Sequence, residues 1–153
     1  MVASNKTGNI TSTIFVCLVL GVTVFIGIVV VSPRNNQIKK VVSWSEIERG
    51  ISFLIKQIYS RSLPIRSVYG IPRGGVLLAV ILSNRLGLEF VQIPRKDSLI
   101  VDDIADSGKT LSKFKNIYYL ATLYYKNKSV VKPDLYYQVV NEKTWIVFPW
   151  EGD

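Results

Sequence analysis

Residues 99–111, which run LIVDDIADSGKTL, carry the side chains best suited to chemistry in this chain of 153 residues. Three apolar residues indicate a buried strand, and Asp102 and Asp103 leave that strand side by side. Residues 106–110 predict a turn at the start of a helix, where free N–H groups favour an anion. Carboxylates would repel a phosphate, so we expect the two aspartates to bind neutral hydroxyls or a divalent cation. The run therefore predicts a site for a phosphorylated sugar.

The same run resembles the phosphoribosyl pyrophosphate motif of the type I phosphoribosyltransferase family, in which two acidic residues end a strand and Asp-Ser/Thr-Gly-x-Thr follows. A nucleotide-binding P-loop also ends in Gly-Lys-Thr, but it needs a glycine five residues before Gly108, where this chain has Asp103. The structural alternative is a plain strand-to-helix connection in which Asp106 or Ser107 only caps the helix. The resemblance explains the whole run, whereas capping explains single residues.

A second loop, Arg73-Gly74-Gly75, follows another short apolar segment. Two residues without side chains let a diphosphate approach the backbone, and a guanidinium binds it through forked hydrogen bonds. The loop resembles the pyrophosphate loop of the same family, in the form found in the 6-oxopurine enzymes. A plain turn is the alternative for this segment taken alone.

The C-terminal stretch around Trp145 resembles the purine-binding tail of bacterial xanthine-guanine phosphoribosyltransferases. In that tail a tryptophan stacks on the base and the backbone of the next residue meets the edge of the ring, which here are Trp145 and Ile146. Lys126, twenty residues before Ile146, matches a family lysine that donates to the purine 6-oxygen. The alternatives are a core tryptophan and a solvated surface lysine.

The resemblance implies a role for each of these residues. Asp103, with Asp102 beside it, would hold the ribose hydroxyls and a Mg²⁺ cofactor, and Asp106 would lie near N7 of the base. Arg73 and Asp106 would be the catalytic residues. The 5-phosphate would be bound by Ser107, Gly108, Lys109 and Thr110, and the pyrophosphate by Arg73 and Gly74. The implied reaction transfers the 5-phosphoribosyl group from phosphoribosyl pyrophosphate to guanine, xanthine or hypoxanthine, as in purine salvage.

The elements that must position these residues alternate between strands and helices. A helix is predicted from Ser43, where Ser43 to Glu46 fits a capping box, to about residue 58. Strands are expected at residues 67–71, 89–93, 99–101, 121–125 and 136–140, with helices at 76–86 and after Thr110. This order predicts an α/β domain with a mostly parallel twisted sheet flanked by helices. Ligands of such sheets collect at the carboxyl ends of the strands.

The first third of the chain has a different composition. Residues 14–32 are almost entirely apolar and long enough, as a helix, to cross a bilayer. We expect a short N-terminal segment at 1–13, a transmembrane helix at 14–32, a basic juxtamembrane linker at 33–42 and a phosphoribosyltransferase-like domain at 43–153. Basic residues after the span place that domain in the cytoplasm of a single-pass membrane protein. A cleaved signal peptide and a buried core helix are the alternatives.

Composition excludes several kinds of mechanism. The chain has no histidine, which removes serine-hydrolase triads and histidine-ligated zinc. The single Cys17 lies in the apolar stretch, so no disulfide can form within one chain. The net charge of +8 is spread without the aromatic-basic pattern of nucleic-acid recognition, so we expect no nucleic-acid partner. The expected partners are phosphoribosyl pyrophosphate, a purine base, the membrane and further copies of the chain.

The resemblance breaks at the connection before residue 99. Type I enzymes have a flexible loop there that folds over the active site, whereas only residues 94–98 separate the two predicted strands here. Arg95 and Lys96 could supply part of the missing charge. The alternative function is therefore a membrane-tethered module that binds the nucleotide or phosphoribosyl pyrophosphate without turnover, and a structural relic is a third option.

Overall fold

The computed structural model describes residues 37–151. The predicted membrane span at 14–32, with Cys17, lies outside the described residues. Within residues 37–151, no helix combines the length and the apolar composition that crossing a bilayer requires. The elements in chain order are β1 (Ile38–Val41), α1 (Trp44–Ser60), β2 (Ser67–Gly70), α2 (Gly74–Leu86), β3 (Glu89–Phe90), β4 (Ser98–Ala105), a 3₁₀ helix (Leu111–Lys113), β5 (Tyr119–Lys126), β6 (Leu135–Val140) and β7 (Thr144–Val147).

A five-stranded parallel sheet forms the centre of the domain. Its strand order is β3-β2-β4-β5-β6, and every pair in it is parallel, as the alternation of strands and helices predicts. Apolar side chains cover both faces because successive residues of a strand point to opposite sides. Leu99 and Val101 of β4 belong to the larger core cluster, which includes the buried apolar side chains of α1 and α2. Ile100 belongs to the smaller cluster on the other side of the sheet.

Helix α1 follows its sequence signals closely. Ser43 is the N-cap and its side chain accepts a hydrogen bond from the Glu46 N–H at 3.3 Å. The buried residues recur at helical spacing and comprise Ile47, Gly50, Ile51, Leu54 and Ile58. The second hydrogen bond of the predicted capping box, from the Ser43 N–H to the Glu46 carboxylate, does not form. That carboxylate instead accepts from the Tyr124 hydroxyl at 2.7 Å.

A small second sheet corrects the expected domain boundary. Residues 38–41, which the sequence analysis places in a linker, form β1. This strand pairs in parallel with β7, the last strand in chain order. Lys40 lies opposite Ile146 in this ladder, and its ammonium reaches the Glu46 carboxylate at 2.7 Å. The ladder and this ion pair hold a segment whose own composition predicts no strand.

The expected helix after Thr110 is wrong. Strand β4 continues through both aspartates to Ala105, because its ladder with β5 extends to the pair Ala105 and Tyr125. Only a three-residue 3₁₀ helix follows, and Asn116 takes a left-handed φ of 66° soon after it. Residues 107–110, which are expected to bind the 5-phosphate and are called the phosphate loop below, therefore form a turn with no long helix dipole behind it.

The connection between β3 and β4 runs to the amino ends of the strands. Arg95 pairs with Glu89, the first residue of β3, at 2.6 Å. Lys96 lines a cleft of about 390 Å³ together with Ser98 and Tyr119, which begin β4 and β5. The expectation that Arg95 and Lys96 supply part of the charge of the missing loop is therefore wrong, because both lie at the opposite end of the sheet from the site.

Candidate active site

Three adjacent strands, β2, β4 and β5, end at the same edge of the sheet and carry most of the candidate residues. The Arg73 loop follows β2, the phosphate loop follows β4, and Lys126 is the last residue of β5. The N–H of Ile71 donates to the Val101 carbonyl at 2.8 Å, which extends the β2–β4 pairing to the start of the Arg73 loop. The sheet therefore brings the two predicted loops side by side.

The two loops touch each other at Gly74. A Cβ atom at Gly74 would lie 1.7 Å from Oδ2 of Asp103, and one at Gly75 would lie 2.3 Å from the Val101 carbonyl oxygen. Neither position has room for a side chain. Arg73 is exposed beside them, after a cis peptide bond from Pro72. The pair of glycines thus lets the Arg73 loop lie directly against the aspartates of β4.

Asp102 and Asp103 are half-buried and bond their own backbone. The Asp103 N–H donates to Asp102 Oδ1 at 3.0 Å, and the Ile104 N–H donates to Asp103 Oδ1 at 2.7 Å. Burial and the charge of Asp103 raise the pKa of Asp102 to about 8. Burial also raises the pKa of Asp103, with a smaller contribution from the charge of Glu151. Two crowded carboxylates are stabilised by a cation or by donated hydroxyl hydrogens.

This donor set fits a magnesium ion that is shared with a substrate. Residues 37–151 contain no group of three or more histidine, cysteine or acidic side chains that could hold a metal alone. Mg²⁺ usually takes one or two protein carboxylates and completes its shell with substrate phosphates and water. Asp103, crowded by Asp102 and in contact with the Arg73 loop, offers that kind of partial site.

The turn after β4 presents open backbone donors. Ser107, Lys109 and Thr110 are exposed, and among the described residues no backbone carbonyl accepts from the N–H groups of Ser107, Gly108 or Thr110. Gly108 has a φ of 73°, which side-chain-bearing residues rarely adopt. These donors fit a phosphate, as the sequence predicts, although they belong to a turn.

The segment after β5 supports this turn and was not found from the sequence. The Val130 N–H donates to the Ser107 carbonyl at 3.0 Å, and a Cβ atom at Gly108 would lie 2.2 Å from Ser129 Oγ. Residues 129–131 therefore fix the shape of the phosphate loop from behind. No motif in residues 129–131 signals this contact.

Asp106 lies between two lysines. Its Oδ1 atom is 3.2 Å from Nζ of Lys126 and 2.9 Å from Nζ of Lys128. Lys126 is only 4% exposed, so it is not the solvated surface lysine of the alternative interpretation. Partial burial raises the pKa of Asp106, but hydrogen bonds and charge from Lys128 and Lys126 outweigh it and hold that pKa below its ordinary value. Lys128 was missed in the sequence, where only the Lys-Asn-Lys spacing could have indicated it.

Trp145 and Ile146 lie on the small sheet. Trp145 is 53% exposed, which excludes the core tryptophan of the alternative interpretation, whereas Ile146 is buried. Tyr124, two residues before Lys126, connects β5 to the segment after β7. The centroid of the Tyr124 ring lies 5.8 Å from that of Phe148.

Comparison with known proteins agrees with this geometry, although no family model matches the chain. Xanthine-guanine phosphoribosyltransferase from Cereibacter sphaeroides is 31% identical over 142 residues, covering 72% of this chain and 85% of the relative. The Gluconobacter oxydans enzyme of the same name is 26% identical, covering 72% and 83%.

Solved structures give the same result. The purine phosphoribosyltransferase from Pyrococcus horikoshii has a TM-score of 0.64 at 30% identity and covers 75% of this chain and 95% of its own. A xanthine-guanine-hypoxanthine phosphoribosyltransferase from Helicobacter pylori has a TM-score of 0.65 at 25% identity, covering 74% and 93%. The chain therefore belongs to the type I phosphoribosyltransferase family, whose members are enzymes of pentosyl transfer.

Proposed function

We propose that this protein transfers the 5-phosphoribosyl group from phosphoribosyl pyrophosphate to a 6-oxopurine, giving a nucleotide and pyrophosphate. The contact between Gly74 and Asp103 carries the proposal, because it joins a loop suited to pyrophosphate to carboxylates suited to ribose hydroxyls. The names of the relatives support a purine acceptor: xanthine-guanine in the sequence relatives, purine and xanthine-guanine-hypoxanthine in the solved structures.

The sugar phosphate would be bound at the end of β4. The turn at 107–110 would direct its free N–H groups at the 5-phosphate, while Asp102 and Asp103 would accept hydrogen bonds from the ribose hydroxyls. The raised pKa of Asp102 fits this contact, since a carboxylate gains when hydroxyl donors replace the water it has lost. These groups hold C1 of the sugar at a fixed place, which is most of what the reaction asks of the protein.

The bond from C1 to pyrophosphate breaks as a purine nitrogen forms its bond to C1. Arg73 and the Gly74 amide would bind the departing oxygens and stabilise their charge. A Mg²⁺ ion held by Asp103 would supply further positive charge to the same oxygens. The base then loses the proton at its N7 atom to Asp106 or to solvent, so charge is balanced at the end of the step.

The base would lie between the small sheet and the end of β5. Trp145 would stack on the ring, and the backbone at Ile146 would meet its edge. Lys126 would donate to the 6-oxo group, and Asp106 would accept from N7. Lys126 suits this role because the residue is only 4% exposed, so its ammonium has little access to water and few partners besides Asp106 and a ligand.

A second candidate function, a module that binds these ligands without turnover, is favoured by one observation. The connection between β3 and β4 consists of residues 91–97, and Arg95 and Lys96 already lie at the far edge of the sheet, so too little chain is left to fold over the site. Attachment to a membrane through residues 14–32, a cytoplasmic domain and assembly with further copies also stay proposals; the first two rest on the sequence alone, and assembly on the family resemblance.

The test is a turnover assay on the full chain with phosphoribosyl pyrophosphate, Mg²⁺ and guanine, xanthine or hypoxanthine in turn. We expect nucleotide and pyrophosphate in equal amounts with at least one base. Arg73→Ala should abolish most of the activity, whereas Arg95→Ala, an arginine substitution at the opposite edge, should leave it unchanged. Calorimetric binding of a purine nucleotide without turnover would support the second candidate, and neither binding nor turnover would refute both.

A further inference from the structure

Two ammonium groups meet a single oxygen at the end of β5. Lys126 and Lys128 both approach Oδ1 of Asp106, at 3.2 and 2.9 Å, and that oxygen is shielded from solvent. The two lysines differ in their surroundings, since the side chain of Lys126 is 5% exposed and that of Lys128 is 43% exposed. One carboxylate therefore neutralises a buried cation while a second, partly exposed cation contacts the same oxygen.

The role proposed for Lys126 creates a difficulty that the second lysine resolves. To donate to a purine 6-oxygen, Lys126 must share its ammonium group between the base and Asp106, which lie in different directions from it. The Asp106 side chain is 42% exposed, but its Oδ1 atom is shielded from solvent, so weakening the ion pair at that oxygen is unfavourable unless another cation is near. Lys128 reaches the same oxygen from the loop, so the Asp106 charge stays compensated when Lys126 turns to the base.

We propose that Lys128 is a positioning residue that retains the Asp106 carboxylate and so frees Lys126 to bind the base. This inference rests on the proposed function, because it assumes that Lys126 contacts the purine. It goes beyond that function in giving a role to a lysine outside the matched motifs. Lys128 acts through Asp106 and touches neither the sugar nor the pyrophosphate.

The first test separates the two substrates. Lys128→Met should raise the KM for the base roughly fivefold, the effect of one partly exposed charge contact, with an unchanged KM for phosphoribosyl pyrophosphate. Lys128→Arg should restore the base KM. The matched control is Lys115→Met, an exposed lysine at the cleft on the opposite edge, which should change neither constant. A raised KM for phosphoribosyl pyrophosphate would overturn the proposal, because it would mean a direct contact with phosphate.

A double-mutant cycle supplies a readout that a purely structural role would not move. In an Asp106→Asn background no carboxylate needs compensation, so adding Lys128→Met should have no further effect on base affinity, measured by calorimetry with the nucleotide product. Equal effects of Lys128→Met in both backgrounds would overturn the proposal. If the parent protein turns over normally and Lys128→Met has the same KM for the base, this inference alone is overturned. A parent chain that neither turns over nor binds nucleotide would overturn the proposed function with it.

Discussion

Replacing Gly74 with alanine tests the contact on which the active site depends. The new Cβ atom would lie 1.7 Å from Asp103 Oδ2 and 2.4 Å from its Cγ, whereas ordinary van der Waals contact begins near 3.4 Å. The Asp103 carboxylate must therefore move by about 1.7 Å or the loop must retreat by as much. If the carboxylate moves, it gives up the 2.7 Å hydrogen bond from the Ile104 N–H.

A displacement of this size should affect catalysis far more than folding. A misplacement of about 1 Å in a catalytic constellation costs about 100-fold in rate, so we expect Gly74→Ala to lose at least that much in kcat/KM for phosphoribosyl pyrophosphate. The atoms in the way belong to the end of one side chain, which can rotate. The free energy of unfolding should therefore fall by no more than about 2 kcal/mol, within the usual range for single substitutions.

Gly87, at the other end of the same helix, provides a matched control. It has a φ of 66° and no atom within 4 Å of a Cβ, so alanine there meets backbone strain and no collision. Gly87→Ala should lower the free energy of unfolding by about 1 kcal/mol and leave kcat/KM unchanged. The assays are steady-state kinetics and urea unfolding of both variants. If Gly74→Ala kept the kcat/KM of the parent protein, the idea that the active site depends on the contact between Gly74 and Asp103 would be refuted.

Three further substitutions give separate tests. Trp145→Ala should raise the KM for the base at least fivefold, because stacking on an aromatic contributes about 1–3 kcal/mol, while its melting temperature stays near that of the parent. In the ligand-free protein the raised pKa of Asp102 lowers stability as pH rises from about 4 to about 8. Asp102→Asn should therefore be clearly more stable than the parent at pH 8 and nearly equal to it at pH 4 in urea unfolding, and an equal difference at both pH values would contradict this assignment. Tyr124→Phe removes the donor to Glu46 and should cost about 1 kcal/mol by the same measurement, and an unchanged midpoint would show that this hydrogen bond does not stabilise the fold.

The parts predicted correctly from the sequence depend on local signals. The apolar periodicity and Ser43 define α1, and the order of strands and helices predicts the parallel sheet and places both loops at the carboxyl ends of its strands. The contacts that were missed join residues far apart in the chain. Glu46 reads as half of a capping box, but its carboxylate bonds Tyr124, 78 positions away, which no local pattern encodes.

The errors have the same origin. Strand β4 runs on through Asp102 and Asp103 because β5 continues beside it, a fact that the polar residues hide in the sequence. In the sequence, nothing distinguishes Lys128 from an ordinary surface lysine. The fold places its Nζ atom 2.9 Å from Oδ1 of Asp106. Residue types thus predict which groups the site uses, whereas long-range pairing decides how they are supported.

The ladder between β1 and β7 determines how the two ends of the domain are mechanically coupled. Lys39 stands opposite Trp145 and Lys40 opposite Ile146, so a pull on residue 37 is passed through a few hydrogen bonds to the strand proposed to hold the base. Expression that starts after Val41 would delete this strand, leaving β7 with an open edge. A tether, tag or crosslink fused just before residue 37 is therefore expected to alter base affinity before it alters binding of the sugar phosphate, which titration of the two ligands against tagged and untagged protein would measure.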